Sequence, residues 1–328
     1  MVFKLINDMV SSFQLQMDRL TSDIHSLLNK DLVKELHKRN IYTVIDLIKA
    51  IQVDRKVVEK ISKLHLREIV DLNKFLLKKY GPCAENAFEH YQRIILQSAI
   101  LQTGIGCLDK LLDGGLFTGY IYEICGLPSS GKTFLCLSLA RHILTTTKDQ
   151  VYYIDTKHDF SATAFRHMLA DSKDQAAEIL SRLLVVRVHS RPEFLNTLFS
   201  IKKILRVKQT SKLLIIDSLP ALYFLNGNHT ENNSFLNYTV NILNYLVNEC
   251  NLVILVTNLI TLWSDGDIKK VDVMKERISC GGYWANVPNA RIKLKRKHET
   301  CIVNLTKAVK AIPPNCECEL KFTSQGFV

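Results

Sequence analysis

Residues 121–140 read IYEICGLPSSGKTFLCLSLA: a short apolar run, a turn of Gly, Pro and Ser, a Lys-Thr pair, then apolar residues at helical spacing. The stretch Gly126-Leu127-Pro128-Ser129-Ser130-Gly131-Lys132-Thr133 fits the phosphate-binding loop. Its glycines let the backbone curl so that N–H groups point at phosphate oxygens, and the helix that follows adds a favourable dipole. Lys132 is placed to reach the β and γ phosphates of ATP, and the Thr133 hydroxyl to hold Mg²⁺. The loop follows a buried strand and opens a helix, the context its mechanism requires.

Outward from the loop, short continuous apolar runs recur: IYEIC (121–125), VYYID (151–155), LLVVRV (183–188), LLIID (213–217) and LVILVT (252–257). Such runs suit strands buried on both faces of a parallel sheet. Helical stretches separate them at Thr133–Leu144, Ala162–Leu169, Gln175–Leu180, Pro192–Leu205 and Phe235–Glu249. Strands linked by helices predict right-handed crossovers and an α/β fold. Asp217, closing its apolar run, is the expected second half of the site, its carboxylate holding the Mg²⁺ shell through water. After residue 289, ARIKLKR, CIVNLTK and ECELKFT read as a short antiparallel extension.

Upstream the pattern is helical. Leu32, Val33 and Leu36, then Val44, Leu47 and Ile48, then Val57, Val58 and Ile61 recur at helical spacing, with Asn29 and Asp54 as N-caps. Residues 1–80 therefore form a small helical domain. Residues 81–98 show no sustained period and read as a linker, and residues 99–328 as the nucleotide-binding core. Phe88 and Tyr91 on the linker are partner-binding candidates, since a large ring on a polar connector docks into a neighbour's pocket; the alternative is packing onto their own domain.

The chain has 328 residues, enough for two domains, and no apolar run long enough to span a bilayer. Nine cysteines without regular spacing point to reduced thiols in the cytosol or nucleus, and Cys316 and Cys318 lack a second pair at zinc-finger spacing. The net charge of +11 fits either an anionic partner, nucleic acid foremost, or a solvated lysine-rich surface.

The stretches TGIGCLDKLLDGGLFTGYIYEICGLPSSGKT (103–133), LLIIDS, LVILVTN and GGYWANVPNARIKLKR resemble the RecA-like strand-exchange family in its eukaryotic recombinase branch. Within that branch, LDKLLDGGLFTG, WANVPNARI and TVIDLIKA are most similar to an accessory paralogue rather than to the filament-forming enzyme. The resemblance implies a RecA-like core with a mainly parallel sheet, a small helical N-terminal domain, and a nuclear role in homologous-recombination repair. It further implies an ATP-binding subunit in a hetero-oligomer of recombinase paralogues that binds single-stranded DNA and assists filament assembly.

The chain departs from the family pattern where hydrolysis and polymerisation are concerned. Strand-exchange enzymes end the second strand in Asp-Thr-Glu, the glutamate orienting the attacking water, whereas this strand ends Asp155-Thr156-Lys157. A protonated lysine is no general base, and its charge favours pairing with phosphate over turnover. Leu259 stands where such enzymes place a γ-phosphate-sensing Gln after Thr-Asn, and the linker lacks their Phe-x-x-Ala plug. Weak or absent hydrolysis is the expectation. The competing readings are an autonomous DNA-dependent ATPase with strand-exchange activity and a RecA-like signalling ATPase unrelated to DNA.

The resemblance places DNA contacts in residues 222–234 and 260–282. The first stretch carries almost no positive charge; the second offers Lys269, Lys270, Lys275 and Arg277, with Trp263 as a base-stacking ring or as a cover for the sheet end. RIKLKRK puts Arg291, Lys293, Lys295 and Lys297 on one face of a strand, where they track a phosphate backbone or blunt a sheet edge.

Overall fold

The computed structural model describes residues 19–53, 55–62, 64–80, 86–207, 210–225, 229–263, 275–310 and 316–328. The chain divides into two compact units, Met1–Leu96 and Gln97–Val328.

In the first unit, helices α1 (Lys30–Lys38), α2 (Val44–Val53), α3 (Arg55–Ser62) and α4 (Leu66–Tyr80) gather one core. Leu32, Leu36, Val44, Leu47, Ile51, Val58, Ile69, Leu72 and Leu76 fill it, each at the spacing that turns one helical face inward. The Asn29 side chain caps α1 by accepting the Leu32 N–H at 2.7 Å. Thr43 and Asp46 form a reciprocal cap at the start of α2: the Thr43 N–H donates to the Asp46 carboxylate and the Asp46 N–H to the Thr43 hydroxyl. The other expected cap, Asp54, lies outside the described residues.

Part of the stretch expected to lack periodicity is a helix, α5 (Ala87–Gln97), opened by Asn86, whose side chain accepts the Phe88 N–H at 2.8 Å. Phe88 and Tyr91 stand exposed on it, at 64% and 59%, together with Ile94 and Ile95.

The second unit opens with a two-stranded ladder, β1 (Ile100–Leu101) and β2 (Leu116–Phe117), flanking α6 (Gly106–Leu111). The loop-bearing strand β3 (Ile121–Gly126) and helix α7 (Lys132–Thr146) follow. Next come β4 (Gln150–Asp155), α8 (Ala162–Met168), a 3₁₀ turn (Ala170–Gln175), α9 (Ala176–Arg182), β5 (Leu183–Arg187), α10 (Arg191–Val207) and β6 (Ser211–Asp217). The chain continues through α11 (Leu219–Tyr223), α12 (His229–Glu249), β7 (Val253–Trp263), β8 (Lys275–Ile278) and α13 (Gly281–Ala285). It ends in β9 (Ala290–Lys297), β10 (Thr300–Lys307), β11 (Glu317–Thr323) and β12 (Gly326–Phe327).

The sheet order is β12-β11-β10-β9-β3-β7-β6-β4-β5, with β8 pairing the distal part of β7. Every ladder from β9 to β5 is parallel, and β10, β11 and β12 extend it antiparallel, the arrangement of a RecA-like core. Each of β3, β4, β6 and β7 is buried on both faces, which explains their apolar runs.

The start of the C-terminal extension differs from expectation. Strand β9 is an interior strand: it pairs parallel with β3 on one side and antiparallel with β10 on the other. Lys293 therefore does not blunt a sheet edge, whereas Lys295 and Lys297 run past the end of β3 and pair with β10 alone. Among the described residues no helix is long and apolar enough to cross a membrane.

Candidate nucleotide-binding site

The parallel register sets the site. Asp155 of β4 lies opposite Asp217 of β6, Ile216 opposite Val256 of β7, and Gly126 of β3 opposite Leu259 of β7. The carboxyl ends of these strands thus share one rim, where open α/β sheets bind ligands. Above it opens a cleft of about 940 Å³ lined by the whole Pro128–Phe134 turn with Lys157, Asp159, Asp217, Leu259, Arg296 and Phe322.

The loop has the curl that a phosphate cradle needs. Gly131 adopts φ +97°, the left-handed region that disfavours side chains. A Cβ on Gly126 would lie 2.6 Å from the Leu294 carbonyl oxygen and 2.4 Å from Ser130 Oγ, so only glycine fits between loop and sheet. The Lys132 ammonium donates to the carbonyls of Gly126 at 2.9 Å and Leu127 at 2.7 Å. Burial and, after it, the neighbouring Lys157 cation lower its pKa.

Thr133 and Asp217, the pair read as the Mg²⁺ ligands, do meet: the Thr133 hydroxyl donates to Asp217 Oδ2 at 2.7 Å. The rest of the carboxylate is also engaged. Tyr153 donates its hydroxyl to Oδ2 at 2.8 Å, and Thr257 donates to Oδ1 at 2.5 Å. The Lys157 ammonium stands 3.1 Å from Asp217 Oδ1, 3.1 Å from Asp159 Oδ2 and 2.9 Å from Thr133 Oγ1. Burial on its own would raise the Asp217 pKa, but the Lys157 charge and the three hydroxyl donors outweigh it and hold the carboxyl below its ordinary value. For Lys157, burial is likewise outweighed by Asp217 and Asp159, which raise its pKa.

A carboxylate offers about four lone-pair sites, and four donors already stand on Asp217. The Thr133 oxygen also accepts from Lys157, which takes one of its two lone pairs. As arranged, the Lys157 ammonium stands beside Thr133 and Asp217 where the expectation places Mg²⁺.

Asp155 does not replace the missing glutamate. It is fully buried, accepts backbone N–H groups from Lys157, His158 and Phe160 at 2.8–3.2 Å, and pairs with Arg187. It shapes the turn after β4. Asp159 faces the cleft, tied to Lys157. Leu259, half-buried, presents an apolar surface to the same cleft.

The basic candidates separate. Arg291 is buried and engaged: it pairs with the fully buried Glu123 and donates to the Ala285 carbonyl at 3.0 Å. It is removed from the DNA-binding set, because its guanidinium is buried against Glu123 and the Ala285 carbonyl. Lys293 is partly covered and paired with Glu276, whereas Arg277 and Lys295 are exposed. Lys269 and Lys270 lie outside the described residues, as do the side chains of Lys275 and Trp263.

Sequence reasoning missed the groups that organise this rim. Glu123 accepts from Asn258 Nδ2 at 2.6 Å and Trp284 Nε1 at 2.7 Å as well as from Arg291, joining β3, β7, α13 and β9. The signal was a single carboxylate within an apolar run, which calls for buried partners. Arg296, over the Phe322 ring at 5.0 Å, adds a third cation to the cleft, and its place near the end of RIKLKRK gave no sign of that role.

The sequence profile described as Rad51 matches residues 95–328. The chain belongs to the Rad51 family. The match takes in the second unit, from the end of α5 to the C-terminus. Among individual relatives, the DNA repair protein RAD51 homolog 4 of Bos taurus is 34% identical over 203 residues, 60% of this chain and 61% of that protein. The DNA repair and recombination protein RadB of Archaeoglobus fulgidus is 32% identical over 128 residues, covering 39% and 54% respectively. The DNA repair protein RAD51 homolog 2 of Arabidopsis thaliana is 28% identical over 199 residues, 56% and 53%. The matched part of the chain thus spans 61% of the length of the bovine relative and less of the other two. This Rad51-family membership agrees with the RecA-like sheet order and the rim just described.

Proposed function

We propose that this chain is an ATP-binding accessory subunit of homologous-recombination DNA repair. It acts in the nucleus, within a complex of recombinase paralogues that binds single-stranded DNA and assists assembly of the recombinase filament. The reading is supported by Rad51-family membership and by relatives named for DNA repair and recombination. The observation that carries the accessory role is Lys157: a well-formed phosphate cradle faces an ammonium, locked between Thr133, Asp159 and Asp217, where the family resemblance puts the catalytic glutamate.

ATP enters with its phosphates in the loop, its β and γ oxygens met by backbone N–H groups and by Lys132. Among the described residues no carboxylate at the rim is free to serve as general base, since Asp155 is committed to its turn and Asp159 to Lys157. Bound nucleotide therefore works as a structural ligand that orders a surface for neighbouring subunits. Arg277 and Lys295 contribute sequence-independent phosphate contacts to DNA binding by the assembly. The exposed rings of Phe88 and Tyr91 dock on a RecA-like neighbour.

Affinity purification of the full chain from nuclear extract, with identification of co-purifying proteins, tests this reading. Related recombinase paralogues are the expected partners. A chain that co-purifies with none of them, or that alone forms long polymers on single-stranded DNA, refutes it.

A further inference from the structure

A metal ion at a phosphate loop supplies positive charge at a fixed place, and it needs oxygen lone pairs to sit there. At this rim the Lys157 ammonium takes one lone pair of Thr133 Oγ1 and one of Asp217 Oδ1. An ammonium carries three donors. The partners in reach are three: Thr133 Oγ1, Asp217 Oδ1 and Asp159 Oδ2.

Lys157 is also held from behind. The buried Asp155 carboxylate accepts the N–H groups of Lys157, His158 and Phe160, and His158 adopts φ +61°. This tight turn, built independently of the ammonium's own contacts, fixes the backbone from which the side chain reaches across to α7.

We propose that the tethered ammonium of Lys157 takes the place of the divalent cation, so that this chain binds ATP without requiring Mg²⁺. The inference rests on the ATP-binding reading above and concerns what neutralises the phosphates. One ammonium carries half the charge of Mg²⁺. The remainder is met by Lys132 on the loop and by Arg296, whose guanidinium lines the same cleft and approaches the Ser129 carbonyl. Three cations on three separate elements thus line the cleft, and Lys157 stands against the carboxylates of Asp159 and Asp217. A site arranged in this way would bind nucleotide in a manner insensitive to metal, which suits a subunit that keeps its nucleotide instead of turning it over.

The test measures binding of a fluorescent ATP analogue to the full-length chain in millimolar Mg²⁺ and in excess EDTA, for wild type and for Lys157→Gln. For wild type, dissociation constants within about threefold of each other in the two conditions are expected. Lys157→Gln is expected to lose about tenfold or more in EDTA and to recover in Mg²⁺, a metal dependence gained by removing one charge. A wild-type chain that itself loses about tenfold in EDTA overturns the inference and leaves the nucleotide site standing. A Lys157→Gln chain as tolerant of EDTA as wild type overturns it too. Wild type that binds the analogue in neither condition overturns both the inference and the ATP-binding reading. The wild-type comparison decides between these outcomes without depending on how the variant folds.

Discussion

Replacing Arg291 by Met should destabilise the nucleotide-binding unit instead of weakening DNA binding. Glu123 is fully buried, and its carboxylate is satisfied by Arg291, Asn258 and Trp284. Removing the guanidinium leaves a buried anion facing only two neutral donors. Breaking a buried pair in this way costs about 3–5 kcal/mol, and the donors that remain place this case near 3 kcal/mol. For a unit of this size, that loss lowers the melting temperature by roughly 6–12 °C. Thermal unfolding followed by circular dichroism gives the number directly. The paired variant Glu123→Gln with Arg291→Met removes both charges and should recover at least half of the loss, as coupled neighbours do in a double-mutant cycle. If Arg291→Met melts within about 1 °C of wild type, the buried-pair argument fails and Arg291 returns to the surface set.

Three further outcomes are expected. Gly126→Ala should abolish nucleotide binding and lower stability together, because its Cβ meets the Leu294 backbone, whereas Lys132→Ala should weaken binding by about 2 kcal/mol or more with the fold intact; equilibrium binding and thermal unfolding separate the two. The purified chain should hydrolyse ATP far below about 1 s⁻¹ with or without single-stranded DNA, and a DNA-stimulated rate at or above that value would refute the role given to Lys157. Asp217 has its pKa held below the ordinary 3.8, so the stability it contributes is complete above that pH and is lost as pH falls through the lowered folded value. Asp217→Asn should therefore flatten the acid limb of a stability–pH profile, and an unchanged limb would show that other carboxyls govern it.

Much of the core was legible because burial on both faces leaves a plain record. VYYI, LLII and LVILV are uninterrupted, and IYEIC is broken only by Glu123, because β3, β4, β6 and β7 have neighbours above and below as well as beside them. The phosphate loop was legible because its backbone path needs glycine where Gly126 and Gly131 stand. What escaped depends on partners far along the chain. RIKLKRK alternates as an edge strand would, and nothing local says that β3 lies on one side of it and β10 on the other. Lys157 is conspicuous as a substitution, yet its three oxygen partners come from α7, β6 and the turn after β4. Helix α5 was passed over although Phe88, Tyr91 and Ile95 repeat at i, i+3 and i+7; the pattern is short and its apolar side chains face outward, so it does not read as a core-facing stripe.

The place of β3 sets an order of events during synthesis. Both of its partners lie far downstream, Ile121 pairing with Ile254 on one side and Tyr122 with Ala290 on the other. At a translation rate of roughly 5–20 residues per second, the strand that carries the phosphate loop waits on the order of ten seconds with both edges open. A message cut short before β9 would release a protein whose central strand stays open on one side for good, a template for pairing with other chains. The strand that carries the loop therefore gains its two neighbours only after β7 and then β9 have emerged, and the close approach of Gly126 to the Leu294 backbone forms no earlier than that.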